Sequence, residues 1–127
     1  MPRLITVFGG IRQKQTEVQK MKEAKIYADG GEVRVAISCE IDHHNAKAIR
    51  EATDEAIARY RPSLLVLDFS AVRFMDSSGI GLILGRVMTA ESVGASVELK
   101  GLFGDILRLV RMSGIEKLKS LKIKEEV

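Results

Sequence analysis

In Phe74-Met75-Asp76-Ser77-Ser78-Gly79-Ile80-Gly81-Leu82-Ile83-Leu84-Gly85-Arg86, a carboxylate and two hydroxyls stand directly before an apolar run that carries three glycines. The apolar spacing predicts a helix starting at Ser77–Gly79, with Ile80, Ile83, Leu84 and Val87 on one face. Each glycine in a helix interior costs about 1 kcal/mol relative to alanine. Three of them therefore answer a need for close backbone approach or an unusual turn. Ser or Asp at a helix start accepts hydrogen bonds from the free backbone N–H groups. The same N–H groups and the helix dipole also favour a phosphate. Read from its chemistry alone, the segment fits first a capping serine on a helix packed tightly against a sheet, and only second a site that welcomes an anion.

The flanks of this segment read as alternating strands and helices. Upstream, Leu64 to Phe69 is nearly all apolar, as expected of a strand covered on both faces. Downstream, Gly94 ends the helix or begins the next turn, and Ala95–Lys100 reads as a strand with Val97 and Leu99 inward. A short helix follows around Asp105–Met112, closed by Ser113-Gly114, and Lys117–Ile123 supplies a last strand. Further upstream, Ile49, Ala52, Ala56, Ile57 and Tyr60 form a helical stripe, with Asp42 or Asn45 to cap its start and Pro62 to close it. Before that helix, Lys25–Ala28 and Glu32–Ser38 are short runs separated by Asp29-Gly30-Gly31, a hairpin signal. Such alternation predicts an α/β fold with parallel neighbours and right-handed crossovers. Residues 1–23 fit it less well: Ile11, Val18 and Met21 make only a sparse stripe, and they read as a flexible basic arm preceding a domain over 24–127.

A chain of 127 residues fits one domain and can form a core without disulfide or metal. The single cysteine, Cys39, excludes an internal disulfide and suits a reducing compartment. No apolar run approaches the roughly 20 residues of a membrane span, and Leu4 to Phe8 is too short for a secretory signal. A cytoplasmic protein with no membrane partner is expected. The net charge of +3 resides in residues 1–23, where five basic residues face two acidic ones; the remaining 15 basic and 15 acidic residues balance. With no Trp and few aromatics to stack on bases, no direct nucleic-acid binding is expected.

Three motifs together resemble one family. FMDSSGIGLILGR looks like the phosphorylation segment of sporulation-type anti-sigma factor antagonists, within the STAS domain family. Glu40-Ile41-Asp42-His43-His44-Asn45-Ala46 is similar to the loop and helix start of those proteins, and Arg108-Leu109-Val110-Arg111-Met112-Ser113-Gly114-Ile115 to their late Met-Ser-Gly helix end. The motifs occur in family order and span most of residues 24–123. The resemblance implies a single STAS domain, a four- to five-stranded mixed sheet with helices packed against it. It implies a regulator rather than an enzyme, with no cofactor. The unphosphorylated form would bind an anti-sigma factor serine/threonine kinase and free the sigma factor. Phosphorylation on the second serine of the segment, Ser78, would reverse this, and a serine phosphatase would restore the first state. Asp42, His43, His44, Asp76, Ser77, Ser78, Gly79 and Gly81 would then meet the partner. Cys39 stands where the family usually has Gly, the family's closing helix has no counterpart, and neither do the first 20 or so residues.

Other readings are weaker. His43 and His44 have no third ligand in view and make a poor metal site. Cys39 reads as a packing residue, and Asp68 as a turn or cap residue. No ordered Ser-His-Asp or Cys-His set is present. Gly79, Gly81 and Gly85, with Glu98 about 20 residues on, superficially match a dinucleotide fingerprint. In that fold, however, the glycines follow the strand immediately, whereas Gly79 stands ten positions after Phe69. A nucleotide-binding module and a scaffold-type STAS protein of a larger assembly remain as alternatives, the first favoured by co-purified nucleotide and the second by a large particle size.

Overall fold

The computed structural model describes residues 3–6 and 15–124. Among these residues seven strands form one sheet in sequence order: β1 (Arg3–Thr6), β2 (Gln15–Lys20), β3 (Ala24–Asp29), β4 (Glu32–Ile37), β5 (Leu64–Asp68), β6 (Ser96–Lys100) and β7 (Leu121–Ile123). The first four pair antiparallel and the last four parallel. Helices α1 (His43–Tyr60), α2 (Ser77–Glu91) and α3 (Gly104–Ser113) make the three crossovers, and a 3-10 turn at Ile115–Lys117 precedes β7. The strand order β4-β5-β6-β7 always advances in one direction, so right-handed crossovers put all three helices on the same face of the sheet.

The core lies between that face and the helices. Ile26, Val33, Val35, Ile37, Leu65, Leu67, Val97 and Leu99 project from the sheet and are at most 2% exposed. They alternate with half-buried or exposed residues such as Lys25, Arg34, Ala36 and Glu98, the period-2 signature of strands with one face on the core. Ile49 and Ile57 of α1, Ile83 and Val87 of α2 and Val110 of α3 cover them. The β3–β4 hairpin turns on Gly30 and Gly31, both at positive φ (57° and 88°), as a two-residue primed turn requires.

The α/β class, the hairpin and all three helices match the sequence-based expectation, and β3 to β7 are the five strands at its upper limit. Two further strands come from the segment read as a flexible arm. Gln15–Lys20 is hydrogen-bonded along the outer edge of β3, and Arg3–Thr6 along β2. An unpaired edge is costly to leave open, and even the weak alternation of Thr16 and Val18 with Glu17 and Gln19 suffices to fill it. Met21, read as part of that arm, packs against the core from the β2–β3 turn; Ile11 lies outside the described residues. The buried stripe of α2 also differs. It runs through Gly79, Leu82, Ile83, Arg86, Val87 and Ala90, leaving Leu84 40% exposed.

Candidate functional site

The two motifs around Asp42 and Asp76 follow the carboxyl ends of neighbouring parallel strands, β4 and β5. A short parallel bridge holds them together: Ile41 N–H donates to the Phe74 carbonyl at 2.9 Å, and Asp76 N–H donates to the Ile41 carbonyl at 3.1 Å. Ile41 and Met75, both buried, anchor the bridge from below. Each aspartate then caps a helix. Asp42 Oδ1 accepts from Asn45 N–H and Asp76 Oδ1 from Ser78 N–H, both at 2.8 Å. The Asn45 side-chain amide also donates to the Glu40 carbonyl at 2.9 Å, which closes the loop ahead of α1. Two helices therefore begin side by side at one end of the sheet.

Between α1 and α2 runs an open groove of about 690 Å³. Its α1 wall carries His43, His44, Lys47 and Arg50; its α2 wall carries Ser78, Gly81 and Gly85. Among the described residues none of those lining it is acidic. The three glycines of α2 have different settings. A β-carbon at Gly79 would overlap Met75 Cγ and Sδ, whereas one at Gly81 or Gly85 would meet nothing within 4 Å. Gly79 is thus a packing glycine, buried beneath the surface where it was expected to meet a partner. Gly81 and Gly85 leave the groove open. Ser77 is exposed at the first helical position, and Ser78 is half-buried beside it; among the described residues the Ser78 hydroxyl makes no hydrogen bond.

Sequence reasoning passed over Arg86. It is 5% exposed, yet it is among the residues that line the groove. Its Nε lies 2.8 Å from Asp54 Oδ1 of α1, an ion pair whose N–H is poorly aligned for a hydrogen bond, and Nη1 has no hydrogen-bond partner among the described residues. Burial pulls the guanidinium below its ordinary pKa, with Asp54 opposing. An arginine reads as a solvent-side residue in any periodicity argument; only its pairing with Asp54 across two helices shows that it faces inward. The site holds no evident metal centre: no three His, Cys, Asp or Glu side chains converge among the described residues. Cys39 packs against the core, and burial, followed by Glu23, Asp42 and Glu40, pushes its thiol pKa up, away from reactivity. No described helix is long and apolar enough to cross a membrane.

Comparison with known proteins places this geometry in a family. Residues 25–122 match the family described as Mlab, STAS domain. An anti-sigma F factor antagonist from Paenibacillus polymyxa is 38% identical over 88 residues, covering 69% of this chain and 75% of the relative. Among solved structures, the anti-sigma factor antagonist SpoIIAA in its unphosphorylated form superposes with a TM-score of 0.60 at 21% identity, over 88% of this chain and 89% of that one. The Bacillus cell fate determinant SpoIIAA in its phosphorylated form gives 0.59 at 24% identity, over 87% and 92%. At these identities the two structures speak for the fold.

Proposed function

The chain belongs to the STAS domain family, and on that footing we propose that it is an anti-sigma factor antagonist, a cytoplasmic regulator that acts by binding and not by catalysis. In this reading the unmodified protein docks on an anti-sigma factor that is also a serine/threonine kinase, which releases the sigma factor. The kinase then phosphorylates Ser78, the complex separates, and a serine phosphatase resets the chain. The observation that carries the reading is the placement of an uncommitted Ser78 hydroxyl at the second residue of α2, directly across the groove from His43 and His44. A kinase needs a hydroxyl that it can reach and hold still. The Asp76 cap fixes the backbone of Ser78 while leaving its Oγ free. Asp42 orders the opposite loop, so that Ser77, Ser78, Gly81, His43 and His44 present one contact surface, with Asp76 beneath it.

The test is to incubate the protein with a candidate anti-sigma kinase and ATP, and to map the product by mass spectrometry. One phosphate on Ser78, absent from Ser78→Ala and retained in Ser77→Ala, is expected. Phosphate on Ser77, or stable binding to the kinase with no modification, would overturn the proposed switch.

A further inference from the structure

Two helix N-termini and a row of cations converge on Ser78, and we propose that a phosphate on Ser78 is held within the protein itself, in the α1–α2 groove, by Lys47 and Arg50. The inference rests on Ser78 being the modified residue. It adds that the modified side chain does not simply project into solvent.

The Ile41–Met75 bridge sets the starts of α1 and α2 next to each other, so the positive ends of both helix dipoles face one region. Neither helix has an acidic residue in its first turn. Along α1, His43, Lys47 and Arg50 recur at i, i+4 and i+7 and so share one face, the face turned toward Ser78. Nothing on α2 intervenes, because Gly81 and Gly85 have no side chains to fill the space. Arg86, which also lines the groove, is almost wholly buried, and its Nη1 has no hydrogen-bond partner among the described residues. A buried donor without an acceptor is a rare and costly feature, and it marks a groove that favours an acceptor.

The opposing charges are already engaged. Asp42 and Asp76 each accept a backbone N–H, and Asp54 is paired with Arg86. A phosphate of about −1.5 to −2 charges with three acceptor oxygens thus meets two permanent cations, two helix ends and the edge of the histidine pair. Asp76, the cap of the same helix, opposes it, as does Asp42 at the start of α1. Attraction outweighs repulsion, and the phosphate occupies the groove that the unmodified form presents empty to its partner.

Phosphoserine can be installed at position 78 during translation by codon reassignment. No kinase is then needed, so a failure of capture is distinct from a failure of any kinase to modify the chain. In a phosphorus NMR titration, capture lowers the second phosphate pKa by about one unit from its usual value near 6, a tenfold preference for the dianion. In the Lys47→Ala/Arg50→Ala variant, whose two side chains are exposed, most of that lowering disappears while the circular dichroism spectrum is unchanged. The phosphorylated wild type also melts higher than the unmodified protein, and the double variant does not. A phosphate pKa equal to or above that of an unfolded peptide of the same sequence would overturn the proposal. So would an equal lowering in the double variant, which would assign it to the helix ends alone.

Discussion

A methyl group added at Gly79 would collide with the buried Met75 side chain, whereas Gly81 and Gly85 have open space at the same position. Helix propensity favours Ala over Gly at all three by about 0.5–1 kcal/mol. At Gly79 overpacking wins, since forcing a side chain into a closed core costs about 1–3 kcal/mol. Gly79→Ala is expected to destabilise by about 1–2 kcal/mol in urea unfolding, and Gly81→Ala and Gly85→Ala to stabilise by up to about 1 kcal/mol each while weakening partner binding. A loss of stability in Gly81→Ala would mean that the groove wall is packed after all. Asp42 supports a second expectation. Its carboxylate serves the Asn45 N–H at the start of α1, so Asp42→Ala should cost about 1 kcal/mol and loosen the His43–His44 loop, read as weaker binding to the kinase. Unchanged affinity would remove that loop from the interface. At this scale the sequence made the caps legible, because Asp at a helix start has one dominant use. It did not distinguish the packing glycine from the two open ones, since that difference lies in Met75, a residue brought to Gly79 by the bridge to Ile41.

Elements were legible in proportion to their pattern. The run Leu64–Phe69 and the alternation Val33, Val35, Ile37 each admit one reading, and both are strands. On α2 the apolar residues nearly encircle the helix, so periodicity could not choose a face; the inclusion of Arg86 in the buried stripe rotated it away from Leu84. Strand β2 was hidden for another reason: its signal is the edge that it covers. Tyr60 reports on this strand, because its hydroxyl donates to Glu17 Oε1 of β2 at 2.8 Å and its pKa is pushed up to about 12 by burial, then by that hydrogen bond and the Glu17 charge. A chain beginning at Met21 loses the contact and uncovers the edge of β3. It is expected to fold but to melt roughly 4 °C lower, as losing about 1 kcal/mol implies for a domain of this size, with the Tyr60 pKa falling back toward 10. In the full chain the neutral phenol is favoured by folding. That contribution is complete below pH 10 and fades as pH rises through about 12. Absorbance titration should show one tyrosine ionising late, and Tyr60→Phe should abolish that step. An unchanged melting temperature on truncation would show that β2 adds nothing to the fold.

Over the whole molecule, the fold brings Asp42 and Asp76, 34 residues apart in the chain, to one end of a parallel strand pair. Sequence motifs named both loops, but the cationic face of α1 joins them only in three dimensions, because Lys47 and Arg50 look like ordinary solvent-exposed helix residues until Ser78 is set opposite. That face changes how charge at position 78 must be weighed. Within the monomer a negative charge meets two helix ends and two cations against the Asp42 and Asp76 carboxylates, each of which already accepts a backbone N–H, so folding is not endangered. At a protein interface the same charge must lose water, at a cost of several kcal/mol if unpaired. It also withdraws Lys47 and Arg50 from whatever acidic groups the partner offers. Both effects oppose docking, and each 1.4 kcal/mol lowers affinity tenfold. Ser78→Asp is therefore expected to keep the wild-type melting temperature or exceed it, and to bind the anti-sigma kinase at least tenfold more weakly in calorimetry. Ser78→Ala should bind as wild type and stay bound when ATP is added. Retention of wild-type affinity by Ser78→Asp would place the interface away from the groove.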